Sequence, residues 1–357
     1  MRNPRRACLA LGVAAATAVA MGFALPASAS TKSPSWRLAF KHHYSGGGNS
    51  LYFAVAAVSR RAAFAVGSAN FAGPIGGVPV SARWHDGHWT ALTMPSGLTG
   101  ILGAVSADSS KDAWTVSQLS GLVLHWHNGR WTVARRFSES GGLAQELTGV
   151  TAFSPTNVWV FGGSGAYPGV GTWHLHGHVW TKVTGLGGNI SFASALSARD
   201  MWAVGGINVG QDSIMHYVHG KWHHVTSPAL DGLQFNQILA LTSNNVWTVA
   251  SKGGAPSTMR LLQLHNGRWI RHALPKNYDP IDMVADGHGG LWLTAEHTTK
   301  GGIQFLHRSA SGRWSVIHDP GAEYLALIPG TSSLWGAGST TYKAGFEAAI
   351  YAHGPAS

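Results

Sequence analysis

Asp200-Met201-Trp202-Ala203-Val204-Gly205, followed by Ile214 to Val218, the turn His219-Gly220 and Lys221-Trp222-His223-His224-Val225, is the stretch that decides the fold. Ahead of it, Phe192 to Ser197 is an apolar run with small residues, and Ala198-Arg199-Asp200 is a turn. Short apolar or alternating runs bounded by Gly, Asn and Asp are strand signals, and no 3.6-residue period is sustained. Four short strands therefore lie between Phe192 and Val225.

Working outward, the same unit recurs along the chain. Trp114, Trp159, Trp202, Trp247, Trp292 and Trp335 are spaced by 45, 43, 45, 45 and 43 residues, with Phe64 at the equivalent first position. A second series, Trp36, Trp89, Trp131, Trp180, Trp222, Trp269 and Trp314, mostly closes a His/Asn-Gly-x-Trp motif. Trp84, Trp126 and Trp173 sit just before that motif, so all 16 tryptophans occupy repeat positions. Four strands per repeat of this length is the pattern of a propeller blade. The second series starts early, at Trp36, while the last repeat, with Trp335 and Ile350-Tyr351-Ala352, lacks a fourth strand of its own. The expectation is an all-β, seven-bladed β-propeller with four-stranded blades, closed by an N-terminal strand joining the C-terminal blade, which removes the open sheet edge at the seam.

Composition narrows the class. The 357 residues are 45% hydrophobic and 11% charged, with 47 Gly that follow no period of three, which excludes disorder and collagen. Arg2, Arg5 and Arg6, the apolar stretch Ala7 to Leu25 and the small residues Ala27-Ser28-Ala29 read as a signal peptide over 1–29, with a retained anchor as the alternative. A short linker follows at 30–34, then the propeller at 35–357. The expected product is secreted, extracellular or associated with the cell surface, without stable membrane insertion after cleavage. Cys8, the one cysteine, leaves with the leader, so disulfides and thiolate chemistry are excluded from the mature chain. The net charge of +10 falls to +7, but without a basic run longer than two residues nucleic acid is not expected as a partner.

Asp200-Met201-Trp202-Ala203-Val204-Gly205 and Trp84-His85-Asp86-Gly87-His88-Trp89 resemble the repeats of secreted actinobacterial β-propellers, grouped loosely with kelch and galactose-oxidase-like propellers. The resemblance spans roughly residues 35 to 354 and implies the fold, not a function, since propellers host lectins, hydrolases, lyases and oxidases alike. The copper chemistry of galactose oxidase needs a cysteine–tyrosine crosslink, which the mature chain cannot form. Asp286-Gly287-His288-Gly289-Gly290-Leu291-Trp292-Leu293-Thr294 is similar to a blade motif of streptogramin-type lyases and sensor propellers. It occurs in one blade and is read as ordinary blade sequence.

The two regular tryptophan series are assigned to packing between blades. Trp84, Trp126 and Trp173 are expected on third strands, partly exposed, with carbohydrate stacking as an alternative role. His85, His127, His176, His219, His265 and His353 read as one repeat position. Spread one blade apart, they cannot converge on an ion, so no metal site is expected among them.

Loops joining second to third and fourth to first strands share one face, and here they are the long, variable ones. Acidic residues gather on that side, whereas Arg60, Arg61, Lys111 and Arg199 lie in short turns on the other. First strands line the channel of a propeller, which makes Glu146, Asn236, Asp282, Glu323 and Tyr324 candidates for its mouth, with Tyr167 and Tyr278 on flanking loops. The preferred reading is a non-catalytic, monomeric protein that binds an extracellular glycan or protein partner through the loop-rich face. Its rival is a polysaccharide hydrolase or lyase using carboxylates at the mouth. No cofactor is expected, although the carboxylates leave a structural calcium open.

Overall fold

The computed structural model describes residues 35–355, except 47, 72–75, 119, 138–145, 164–169, 185, 187–188, 209–210, 254–257, 319–320 and 344. The expected leader and linker, and Tyr167, lie outside the described residues. Seven antiparallel four-stranded sheets follow one another around a channel. Their inner strands are Asn49–Ser59, Leu102–Ser109, Leu147–Ser154, Phe192–Ser197, Leu233–Thr242, Tyr278–Ala285 and Ala322–Leu327, and they number blades 1 to 7. Blade 4 shows the pattern, with Phe192–Ser197, Asp200–Asn208, Gln211–Val218 and Lys221–Val225 in sequential order. Blade 7 takes Ala322–Leu327, Leu334–Tyr342 and Gly345–His353 from the end of the chain and its outer strand, Trp36–His42, from the beginning. Trp36 pairs with His353 and His42 with Ala348, so the ring is closed by the strand expected for it.

Local chemistry shapes each blade. Asp86-Gly87, Asn128-Gly129, His219-Gly220 and Asn266-Gly267 join third to fourth strands, and all eight residues have positive φ, the backbone of a two-residue hairpin turn that favours Asn, Asp and Gly. His219 therefore belongs to the turn, one step beyond the strand position of His85, His127 and His176. Gly205, three residues after Trp202, has a different reason: a Cβ there would lie 1.8 Å from the Asn189 carbonyl oxygen. Gly67 and Gly338, at the same distance from Phe64 and Trp335, are crowded by carbonyls in the same way.

The tryptophan series meet between blades. Trp335 of blade 7 is fully buried and packs on Trp84 and Trp89 of blade 1, at 4.8 and 5.1 Å between ring centroids. Phe64 meets Trp126 and Trp131, Trp114 meets Trp180, Trp159 meets Trp222, and Trp292 meets Trp36. These five second-strand aromatics thus wedge into the following blade. The expectation of partial exposure holds for Trp173, which is half-buried, stacks on Phe137 and gives its indole N–H to the Val170 carbonyl. It is corrected for Trp84 and Trp126, which are buried because their rings complete this wedge.

The other face of the second-strand ring carries the histidines. His125, His174, His216 and His307 stack on Trp114, Trp159, Trp202 and Trp292 at 3.9 to 4.4 Å. Their Nε2 atoms bond Asp112, Asn157, Asp200 and Asp286. In blade 1 the Arg83 guanidinium takes the imidazole's place over Phe64.

Hydrogen bonds also stitch inner strands together. The Ser106 hydroxyl accepts the Ala152 amide, the Ser194 hydroxyl the Ala240 amide, and the Asp282 carboxylate the Leu325 amide. Among the described residues no helix is long and apolar enough to cross a membrane.

Candidate functional site

The inner strands frame a channel cavity of about 670 Å³. Residues of all seven inner strands line it, because alternate side chains of an inner strand must point toward the axis. The lining is mixed. Phe53, Phe192 and Tyr324 present rings, with Phe53 6.3 Å from Tyr324 and 5.9 Å from Phe71. Phe192 is 40% exposed, a large apolar area for water to wet. Gln118, Glu146, Gln237 and Asp282 add polar groups.

Three of the expected mouth residues, Glu146, Asp282 and Tyr324, reach this cavity. Glu146 stands at the entry of blade 3, immediately before its inner strand. Asp282 lies deep in the wall of blade 6, where its two oxygens accept the amides of Met283 and Leu325. Burial raises its carboxyl above the usual range, and those two amides oppose the shift. The Tyr324 phenol is held well above its ordinary range by burial first and then by the charges of Glu323 and Asp282, so it stays neutral.

The remaining candidates are placed elsewhere. Asn236 is the extra residue of a bulge between Phe235 and Gln237, and it is Gln237 that lines the channel, its amide donated to the Ile281 carbonyl. Glu323 is likewise the bulged residue between Ala322 and Tyr324, with its carbonyl taking the Thr294 hydroxyl. Tyr278 is tied into blade 6 by a hydrogen bond to Gln304 and an edge contact with His297. Phe53, Phe192, Gln118 and Gln237 escaped sequence reasoning. The signal for Phe192 was a bulky ring leading a run of small inner-strand residues, Ala193-Ser194-Ala195.

The arrangement suits holding a ligand more than reacting with it. Among the described residues, no histidine lines the cavity. Glu146 and Asp282 stand three blades apart, and the oxygens of Asp282 are already occupied by backbone amides. The lyase-like stretch is a turn: Asp286 accepts the amides of His288 and Gly290 and bonds His307.

No protein-family model matches the chain, and no curated protein matches it. Solved structures do. YCF48 bound to a D1 peptide is 11% identical, with a TM-score of 0.60 over 89% of this chain and 96% of that one. YCF48 from Cyanidioschyzon merolae is 13% identical, with a TM-score of 0.58 over 89% and 98%. A catalytically inactive virginiamycin B lyase from Staphylococcus aureus with quinupristin is 12% identical, with a TM-score of 0.60 over 89% and 99%. At such identities the likeness establishes a fold, the seven-bladed propeller, and leaves function to the site.

Proposed function

We propose that this protein is a secreted, non-catalytic propeller that binds an extracellular glycan or protein partner at the loop-rich mouth of its channel. The observation that carries this reading is the channel wall itself, where exposed Phe192 and the Phe53–Tyr324 pair supply apolar faces beside Glu146 and Gln237. Aromatic faces with a few fixed polar groups hold sugars and peptide segments. A propeller of the same fold is named for its complex with a peptide, which is in keeping with this use of the scaffold.

Retention of ligands from a glycan array and a peptide library by the mature chain tests the proposal. Phe192→Ala is expected to weaken retention at least tenfold while leaving unfolding little changed, because the ring is already 40% exposed. A polysaccharide-turnover screen is the counter-test. Turnover that disappears in Glu146→Gln would replace this reading with the hydrolase or lyase one.

A further inference from the structure

Blade 2 combines two choices that the other blades make separately. The stacked histidine bonds a carboxylate in blades 2, 4 and 6, where the pair is a packing device beneath the tryptophan. One position further along the same face, directly across from that acid, blade 2 carries a second imidazole, His127, where blade 4 has Val218. Blade 3 has both imidazoles, His174 and His176, but faces them with the neutral amide of Asn157.

The geometry in blade 2 is that of a chelate. His125 and His127, two apart on one strand, project from one face with ring centroids 5.4 Å apart and nearly parallel. Asp112 Oδ2 lies 2.6 Å from His125 Nε2 and 3.7 Å from His127 Nδ1, and the three ligand atoms all fall within 4.8 Å of one another. The Trp114 indole N–H donates to Asp112 Oδ1 and fixes the carboxylate from behind, as outer partners of metal ligands do. Asp112 is buried, while the His127 side chain is 52% exposed, which leaves a path from solvent.

We propose that Asp112, His125 and His127 form a binding site for a divalent transition-metal ion, with the fourth position open to solvent beside the exposed His127. Carboxylate and imidazole in this ratio suit zinc, at about 2.0–2.2 Å per ligand. The ion takes the place of the His125 Nε2 proton, which passes to solvent. The Asp112–His125 contact then opens to about 3.3 Å, the separation of two ligands on a tetrahedral ion.

Titration calorimetry of the full mature chain with zinc chloride tests the site, with the visible spectrum of added cobalt(II) as a second readout. One zinc per chain is expected, together with the cobalt spectrum of a four-coordinate ion. His127→Ala should lower zinc affinity at least tenfold and abolish that spectrum with circular dichroism unchanged, since His127 is half exposed. His176→Ala, at the same position of blade 3, should change neither. Absence of zinc binding, wild-type affinity in His127→Ala, or an equal loss in His176→Ala would each overturn the proposal.

Discussion

Blade 4 and blade 7 have the same four strands, yet one is a single stretch of chain and the other joins residue 36 to residue 353. Blade 4 forms by local hairpins, so its contacts require little chain entropy to be surrendered at once. Blade 7 forms only when the whole ring is in place, and its contacts are correspondingly heavier. Trp36 lies over Phe305 at 4.3 Å and meets Trp292 edge-on. Arg37 donates to the Gly354 carbonyl, and Lys41 pairs with the almost fully buried Glu347. Tyr44, just past the outer strand, hydrogen-bonds Tyr52 of blade 1, and burial pushes its phenol up to about 12. The lesson is that a closed repeat concentrates its cooperativity at the seam.

The sharpest break of that contrast is removal of residues 35–42. The third strand of blade 7 then becomes an open edge, and loss of the cooperative thermal transition with association in size-exclusion chromatography is expected. Trp335→Ala comes next, at about 3–5 kcal/mol in denaturant unfolding, because the ring is fully enclosed between blades 7 and 1. Trp222→Ala in blade 4, whose ring is half-buried, should cost only about 2 kcal/mol. Equal losses would show the seam to be no different from any other junction.

Smaller effects sharpen the picture. Lys41→Ala leaves the Glu347 carboxylate without its cation, for about 1–3 kcal/mol. Lys221→Ala on the outer strand of blade 4 is exposed and should stay within about 0.5 kcal/mol. The smallest effect is in pH dependence. Blade 6 meets blade 7 through Asp282 and the Leu325 amide, whereas blade 4 meets blade 5 through the neutral Ser194 hydroxyl and the Ala240 amide. Asp282 titrates above its unfolded range, so its contribution to stability is full below about pH 3.9 and is lost as pH rises through the folded value. Relative to wild type, Asp282→Asn should therefore gain stability as pH rises above about 3.9, while the cost of Ser194→Ala should not vary with pH over that range. A flat difference for Asp282→Asn would mean that its carboxyl is solvated.

The fold was legible because it rests on local periodicity. Indole rings some 46 residues apart, Gly-containing hairpin turns and a spare strand at Trp36 each report a backbone state or a burial pattern that neighbouring residues share. The candidate site was legible only in part. Glu146, Asp282 and Tyr324 reach the channel, but Asn236 and Glu323 sit one residue off, because each occupies a bulge that breaks the alternation of faces. Bulges depend on how one blade leans on the next, and no local pattern announces them.

From the sequence alone came the class of sheet, the number of blades and the pairing of the two ends of the chain, since repeated short-range signals specify repeated units. Tertiary structure decided which side chains meet. Trp84 and Trp126 became core because the preceding blade covers them, and Asp282 became a stitch because the amide of Leu325 faces it from the next blade. Asp112, His125 and His127 converge because hairpin register sets two strands side by side. These are contacts between residues that only sheet pairing and ring closure bring together, and their energies depend on distance in space rather than along the chain.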